Sequence, residues 1–531
     1  MIFSCLSLLM ALGFAFSYFR SSFDRAMASW TPIVFLLLPM WLTYPFGGID
    51  ITFRLLYFFV IFTFYILSAP RSILPGGIAL SDIVIVALTL TLGLAEAVGG
   101  AIGPLTIPEF MSLWLLPYLI GRLFLSKWTS IPYACNRWSL ILAIVCTMAI
   151  AEAASRFNPV QFVFNKTFAL LEQGEGYRWG IRRAMVSLEH PIFLGMSLVC
   201  CLPWALLAAR QAVIGNMSKL WFFLPAVQMV AVAATASRGP IVAGFFVLCS
   251  IPFWRFPKWR WLVGTTAVGS FLALTVFQDY AWEVLEAMTG DSQEDVRQVV
   301  IDGVAVDYTG TNHRLLLFRV YEQAIQNAGW FGYGYAYHSG MERAGITIDD
   351  DLMARFGSID NGYLAILIKH GWLNVIMFIL LGTVVVLEGI SVGLLTPGTP
   401  GVFVGTLAIA LFAVMIGLGA VWFSRDFAGI WLFHAGLVVT LNRLPIPRNN
   451  NAPPGGPAAY AKIDSPSRWA KGGRKDSREM RPAPDPAAQN YGHQEQPRQE
   501  YSRQDYSRQG YPQRGHPPQS EYPHRTGRTR T

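Results

Sequence analysis

The stretch FGSIDNGYLAILIKHGW, Phe356 to Trp372, sets Asp360, Asn361 and Tyr363 at the threshold of an apolar run. A carboxylate there has two readings. It caps a helix that begins at Asn361, or it accepts a proton from a reacting hydroxyl, since carboxylates are ionised at neutral pH. Three further polar marks interrupt the apolar chain: EGYRWGIRRAMVSLEHPIFLG (Glu175 to Gly195), TASRGP (Thr235 to Pro240) and NHRLLLFR (Asn312 to Arg319). The first carries Arg178, Arg182 and His190, and His190-Pro191 also reads as an N-cap followed by a proline in the first helical turn. Arg238 ends one apolar run and precedes another, with no polar loop between them to hold it. A guanidinium in such surroundings is costly unless paired or facing water, which favours a functional role. Arg314 stands on a candidate surface helix, where an arginine is ordinarily solvated.

The surrounding chain has 531 residues, 53% hydrophobic and 14% charged. Its apolar residues come in blocks of about 18 to 25, the length that crosses a hydrocarbon core as helix. The expected fold is an all-α polytopic integral membrane protein with about 12 to 13 transmembrane helices. Spans are expected near 3–19, 30–46, 51–68, 79–97, 107–125, 138–155, 190–208, 220–236, 240–254, 261–278, 372–392, 400–423 and 427–444, with a Pro/Gly hairpin at Tyr44 to Gly48. The first block lacks a basic n-region and an A-x-A-like site, so it reads as a retained helix. Cys5, Cys135, Cys146, Cys200, Cys201 and Cys249 lie in or beside apolar runs and read as small buried hydrophobes.

Charge orients the spans. Connections carrying Arg122, Lys127 and Arg137, then Arg210 and Lys219, then Arg255, Lys258 and Arg260, recur after every second span and belong on the cytoplasmic side. The intervening segments 156–189 and 279–360 then face the exterior. Asp279 to Ile359 holds 13 acidic and 5 basic residues, the opposite bias, and a connection of that length is ordinarily functional. Within it, Leu315, Phe318, Ala324, Ile325 and Ala328 suggest an amphipathic helix before the turn GWFGYGYAYHSG. The membrane domain is expected over 1–445. The remainder, 446–531, abandons apolar periodicity for Pro, Gln and Arg and reads as a disordered cytoplasmic tail. From Arg448 it carries 15 Lys plus Arg against 8 Asp plus Glu, a net +7 of the chain's +8. Such a tail suits anionic lipid or phosphate contact, but it also reads as a solvated topology signal, and no nucleic-acid module accompanies it.

Many spans, an Arg-Gly pair at a mid-chain helix boundary, a large outer loop with Arg314 ahead of a Gly-Tyr-Gly turn, and a following DNGYL...HGW together resemble the O-antigen ligase and O-antigen polymerase superfamily, especially its exopolysaccharide-polymerase branch. The pattern covers about residues 140 to 440 as weak motifs in a fixed order. In the ligases a histidine, treated as catalytic, typically precedes the Asn. Here the residue is Asp360, which favours a polymerase-type member.

The resemblance implies a glycosyltransferase of the inner (cytoplasmic) membrane, acting on its periplasmic face. It would move glycan from a polyprenyl-diphosphate-linked donor to an acceptor sugar hydroxyl. The residues suit that chemistry. Arg238 and Arg314, helped by Arg178 and Arg182, would stabilise the departing diphosphate, and His190 is counted among the substrate-binding residues. Asp360 would take the proton of the attacking hydroxyl, with His338 the next candidate base. Asn361 and Tyr363 would hold the sugar, although Tyr363 reads equally as a core or capping residue. Asp349-Asp350-Asp351 reads as a solvated acidic run, and neither metal nor cofactor is expected. The expected partners are the lipid-linked glycan, membrane lipid and other polysaccharide-assembly proteins, with no specific nucleic acid. The rival readings are a ligase acting on lipid A or a protein, and a transporter of the same lipid, although the chain shows no duplicated halves.

Overall fold

The computed structural model describes residues 2–46, 49–68, 74–99, 109–164, 176–178, 180–262, 264–265, 269, 297–301, 304–308, 313–396, 398–423 and 425–445. The tail, 446–531, and 13 of the 18 residues of the expected span 261–278 lie outside them. Among the described residues six helices are long and apolar enough to cross a membrane: Ile2–Arg20, Leu80–Val98, Trp128–Ser155, Pro191–Val213, Gly362–Leu395 and Thr399–Gly417. Shorter apolar helices lie at Phe53–Leu67, Met111–Leu123 and Lys219–Ala234, and Arg238–Cys249 and Arg425–Arg443 complete the bundle. The protein is a mostly helical polytopic membrane protein. Its outer surface is apolar, as a lipid solvent requires; Leu8, Leu9, Leu12, Phe16 and Phe19 of the first helix are all exposed. Of the six cysteines four are buried, while Cys5 and Cys249 are exposed.

The span expected at 30–46 is displaced toward the N-terminus. The helix is Phe23–Leu36, with the Ser22 side chain accepting from Arg25 N–H. The polar residues at its start are tolerated because buried Asp24 accepts from Ser126 N–H, Ser126 Oγ and Ser130 Oγ. The Pro/Gly segment beyond forms the antiparallel hairpin Tyr44–Phe46 with Ile49–Ile51. Arg122, counted from sequence as a basic residue of an inner connection, is instead buried. Asp82 accepts from its Nε and Nη2, and Thr440 Oγ1 and the Pro75 and Gly77 carbonyls take the remaining donors, so its fork is satisfied within the protein.

Two features organise the segment between 297 and 371. The expected amphipathic helix is two short helices, His313–Val320 and Glu322–Asn327. Their buried face is Leu317, Tyr321, Ala324 and Ala328, at i, i+4, i+7 and i+11, while Phe318 is 48% exposed. Tyr321 wins over Phe318 because its hydroxyl reaches the Phe356 carbonyl at 3.1 Å. A hairpin, Arg297–Ile301 with Val304–Tyr308, precedes them.

The second feature is a splice. Helix Gly362–Leu395 breaks at Gly371, whose φ of 78° and ψ of 178° are non-helical. In an unbroken helix Trp372 and Leu373 N–H would donate to the Ile368 and Lys369 carbonyls. Here they donate to the Gly329 and Trp330 carbonyls, while the Ile368 and Lys369 carbonyls accept from Tyr333 and Gly334 N–H. The turn GWFGYGY thus inserts its own backbone into the helix and satisfies all four groups. The approach needs glycine on both sides. A Cβ on Gly332 would lie 2.6–2.7 Å from backbone atoms of Ile368, His370 and Gly371, and one on Gly371 would meet the backbone of Trp330 and Phe331. The splice fixes the turn at 329–334 to the helix that Asn361 caps.

Candidate functional site

Residues 177–182 form a two-residue-a-side hairpin pairing Tyr177 with Arg182 and Arg178 with Ile181. The strand alternation divides the arginines that follow. Arg182 turns to the end of helix 131–155, where it donates to the Arg156 carbonyl (2.6 Å) and Gln161 Oε1 (2.7 Å) and stands 3.4 Å from Glu152 Oε1. Arg183 turns the other way, is buried, and donates from Nε to the Thr235 carbonyl (3.3 Å) and from Nη2 to Ser237 Oγ (3.2 Å). Arg178, exposed, donates to the Ala236 carbonyl at 3.3 Å. Arg238 is the first residue of the helix that starts directly after this break and is half-buried. Two guanidinium groups, from Arg178 and Arg183, therefore meet residues 235–237, and Arg238 follows directly in sequence.

Backbone strain marks the same place. Among the described residues the non-glycines with positive φ are Arg156 (62°), Val186 (53°) and Ala236 (46°). Arg156 takes Arg182, Ala236 takes Arg178, and Val186 lies three residues beyond Arg183. Such residues cost about 1–3 kcal/mol each and persist where the surroundings over-determine them, which concentrates them at functional sites.

His190 borders the cluster. It is the N-cap of helix 191–213, with Nδ1 accepting from Ile192 N–H at 3.1 Å. Burial, then the Arg183 and Arg178 charges, lower its pKa from 6.5 to about 3. The ring is therefore neutral near pH 7 with its proton on Nε2, which makes it a hydrogen-bond donor and not a base. Its ring packs on Phe193, and Phe193 packs on Trp422 and Phe427.

The segment after helix 399–417 leads from Trp422 to the opening carboxylate. Asn361 Nδ2 donates to the Gly419 carbonyl at 3.0 Å, and Gly362 lies against Leu418 and Val421. Asn361, not Asp360, is the N-cap, its Oδ1 accepting from Leu364 N–H at 3.0 Å. Tyr363 donates its hydroxyl to the Met415 carbonyl at 2.7 Å. Both residues thus spend polar groups on fastening this helix to its neighbour. Asp360 is left half-buried one residue before the cap, with Oδ1 accepting from Ser358 Oγ at 3.1 Å. Its neighbours Asn361 and Gly362 meet residues 418–421, and Trp422 packs on Phe193, which packs on His190.

Arg314 lies in helix His313–Val320, and its side chain falls outside the described residues. His338 has other company: its ring lies 4.0 Å from that of Tyr337, and partial burial and Lys369 hold its pKa below the ordinary value against the pull of Glu342. Asp350 and Asp351 open the short helix Asp350–Phe356. Sequence reasoning singled out Arg182 and passed over Arg183. The signal was available in the apolar Ala184-Met185 that follows, since an arginine entering a buried run must find partners.

The fold and this cluster define a polytopic membrane protein with a cationic, strained site at one end of its helical bundle. Residues 220–379 match the O-antigen ligase family, consistent with the O-antigen ligase and polymerase superfamily. The matched stretch contains Arg238, Arg314, Asp360, Asn361, Tyr363 and the splice, whereas Arg178, Arg183 and His190 precede it. No curated protein matches the chain. The family match supports a membrane glycosyl-transferring enzyme.

Proposed function

We propose that the protein polymerises a surface glycan, moving it from a polyprenyl-diphosphate carrier to an acceptor sugar hydroxyl at the outer face of the cytoplasmic membrane. The observation that carries this reading is the meeting of Arg178 and Arg183 on residues 235–237, directly before Arg238. The acceptor oxygen attacks the donor's anomeric carbon and its proton passes to Asp360. The bond from that carbon to the diphosphate oxygen breaks, and the electron pair leaves with the diphosphate. Guanidinium donors and the neutral Nε2–H of His190 stabilise that charge where water is scarce. Arg314 contributes from the outer segment. Asn361 and Tyr363 act chiefly by holding the carboxylate's helix in place. Polymerisation is favoured over ligation because Asp360 stands where the ligases typically carry histidine.

The test is purified protein in vesicles with a polyprenyl-diphosphate oligosaccharide. The expected products are free polyprenyl diphosphate and a ladder of longer glycans. A donor that stays intact, or that crosses the bilayer uncleaved, overturns the reading in favour of transport, and a single addition to lipid A or a protein overturns polymerisation in favour of ligation.

A further inference from the structure

Glu152 has no place in the chemistry above, yet its carboxylate is fully committed. It lies in the last turn of helix 131–155 and is 1% exposed. Oε2 accepts from Met185 N–H at 3.0 Å and Val186 N–H at 2.8 Å. Oε1 accepts from Asn158 Nδ2 at 2.9 Å and faces Arg182 Nε at 3.4 Å. Asn158 Nδ2 also donates to the Val186 carbonyl at 3.0 Å, so Val186 is gripped at both its N–H and its C=O.

Val186 is the residue that most needs such a grip. A β-branched side chain at φ of 53° is a genuine outlier. The peptide adopts it only if neighbouring contacts repay the strain. Two consecutive N–H groups aimed at one carboxylate oxygen supply that repayment through charge-assisted bonds. The turn they enforce follows Arg183 directly and leads through Ser187, whose hydroxyl donates to the Leu36 carbonyl, to His190. Met185 N–H and Arg183 are two residues apart, so the backbone that Glu152 holds also sets where the Arg183 guanidinium emerges.

We propose that Glu152 is a positioning residue: its buried carboxylate holds the strained 185–186 turn so that Arg183 and His190 are pre-organised toward a diphosphate. This rests on the proposed function of the arginine cluster. Glutamine at 152 keeps the shape but exchanges one acceptor oxygen for an NH2 facing donors, so one side of the carboxylate loses its partners.

The probe is inorganic diphosphate as a competitive inhibitor of glycan transfer by the full-length protein in vesicles. Glu152→Gln is expected to raise its inhibition constant and the donor KM by about 10-fold, the scale of one misplaced charge-assisted hydrogen bond, with kcat changed less than KM. The double variant Glu152→Gln/Val186→Gly is expected to move both back toward wild type, because glycine adopts positive φ without the grip. A merely structural role would lower the amount of inserted protein and leave both constants unchanged. If Arg183→Ala and Arg178→Ala also leave the inhibition constant unchanged, the site does not bind diphosphate and the proposed function falls with the positioning role. If they raise it while Glu152→Gln does not, the positioning role alone is refuted. Should Glu152→Gln fail to insert, Asn158→Ala, which loosens Val186 from the other side, is read against the same two outcomes.

Discussion

Asp360→Asn separates chemistry from architecture at a single atom. Asn361 already caps the helix, through Oδ1 to Leu364 N–H, and it ties that helix to Gly419. The one side-chain hydrogen bond shown for Asp360 is accepted from Ser358 Oγ at 3.1 Å on an exposed segment, and the amide oxygen of asparagine accepts it equally. The stability cost is therefore that of an ordinary surface substitution, within about 0.5 kcal/mol. Loss of a general base costs typically about 10²- to 10⁴-fold in rate, or roughly 3–5 kcal/mol of barrier. The assay is glycan transfer from a lipid-linked donor in vesicles, normalised to inserted protein, beside the thermal stability of the same preparation. The expected result is wild-type stability with a rate at least about 100-fold lower. Asn361→Ala supplies the contrast, because loss of a cap costs about 1 kcal/mol, so here stability should fall. Asp360→Asn working at close to the wild-type rate would refute the assignment of the base and pass the role to His338.

Arg238→Lys and Arg314→Lys should each cut transfer strongly while preserving insertion, because a point charge does not reproduce a planar fork; wild-type rates in both would remove them from the site. Gly332→Ala should break the splice at Gly371, since its Cβ would fall 2.6–2.7 Å from backbone atoms. Limited proteolysis should then cut within 329–345 far faster than in wild type, and unchanged protection would show that the turn is held by other contacts. His190, with a folded pKa of about 3 against an ordinary 6.5, makes the folded protein lose stability as pH falls from about 6.5 toward 3, because the unfolded chain takes up a proton that the folded chain refuses. Thermal inactivation at pH 7 and pH 4 should show a smaller loss in His190→Asn, which keeps a capping oxygen; an equal loss in both proteins would refute the shift.

The membrane-spanning helices were legible because a bilayer accepts little else than about 20 apolar residues in helical form. Where the expected spans slipped, long-range partners decided. Asp24 looks like a loop residue until Ser126 and Ser130, a hundred positions on, satisfy it. The break at Gly371 leaves the apolar periodicity of 362–395 intact, so it has no local signature; its cause is the backbone of residues 329–334. At the site, residue type identified Asp360, Arg178, Arg238 and His190 as candidates. The cap was placed one residue early because Asp and Asn cap about equally well. Glu152 was invisible for the opposite reason to Arg238. A lone glutamate at the end of an apolar helix reads as a solvated terminus, and only the folded chain shows Met185 and Val186 donating to it.

The division of labour at 360–363 follows from where each polar atom is spent. Asn361 and Tyr363 place their hydrogen bonds on the Leu364 amide and on the Gly419 and Met415 carbonyls, so the helix start is rigid without help from the residue before it. A helix needs only one side-chain cap, and once Asn361 supplies it, a carboxylate at 360 brings no capping advantage. What Asp360 retains is a half-buried carboxylate that accepts from Ser358 Oγ and takes no part in the cap. In the proposed reaction the acceptor sugar would present its hydroxyl to Asp360 and the donor its diphosphate to the arginines. A displacement at an anomeric carbon asks for two distinct groups, because the proton is lost from the attacking oxygen while the new charge appears on the opposite, departing one.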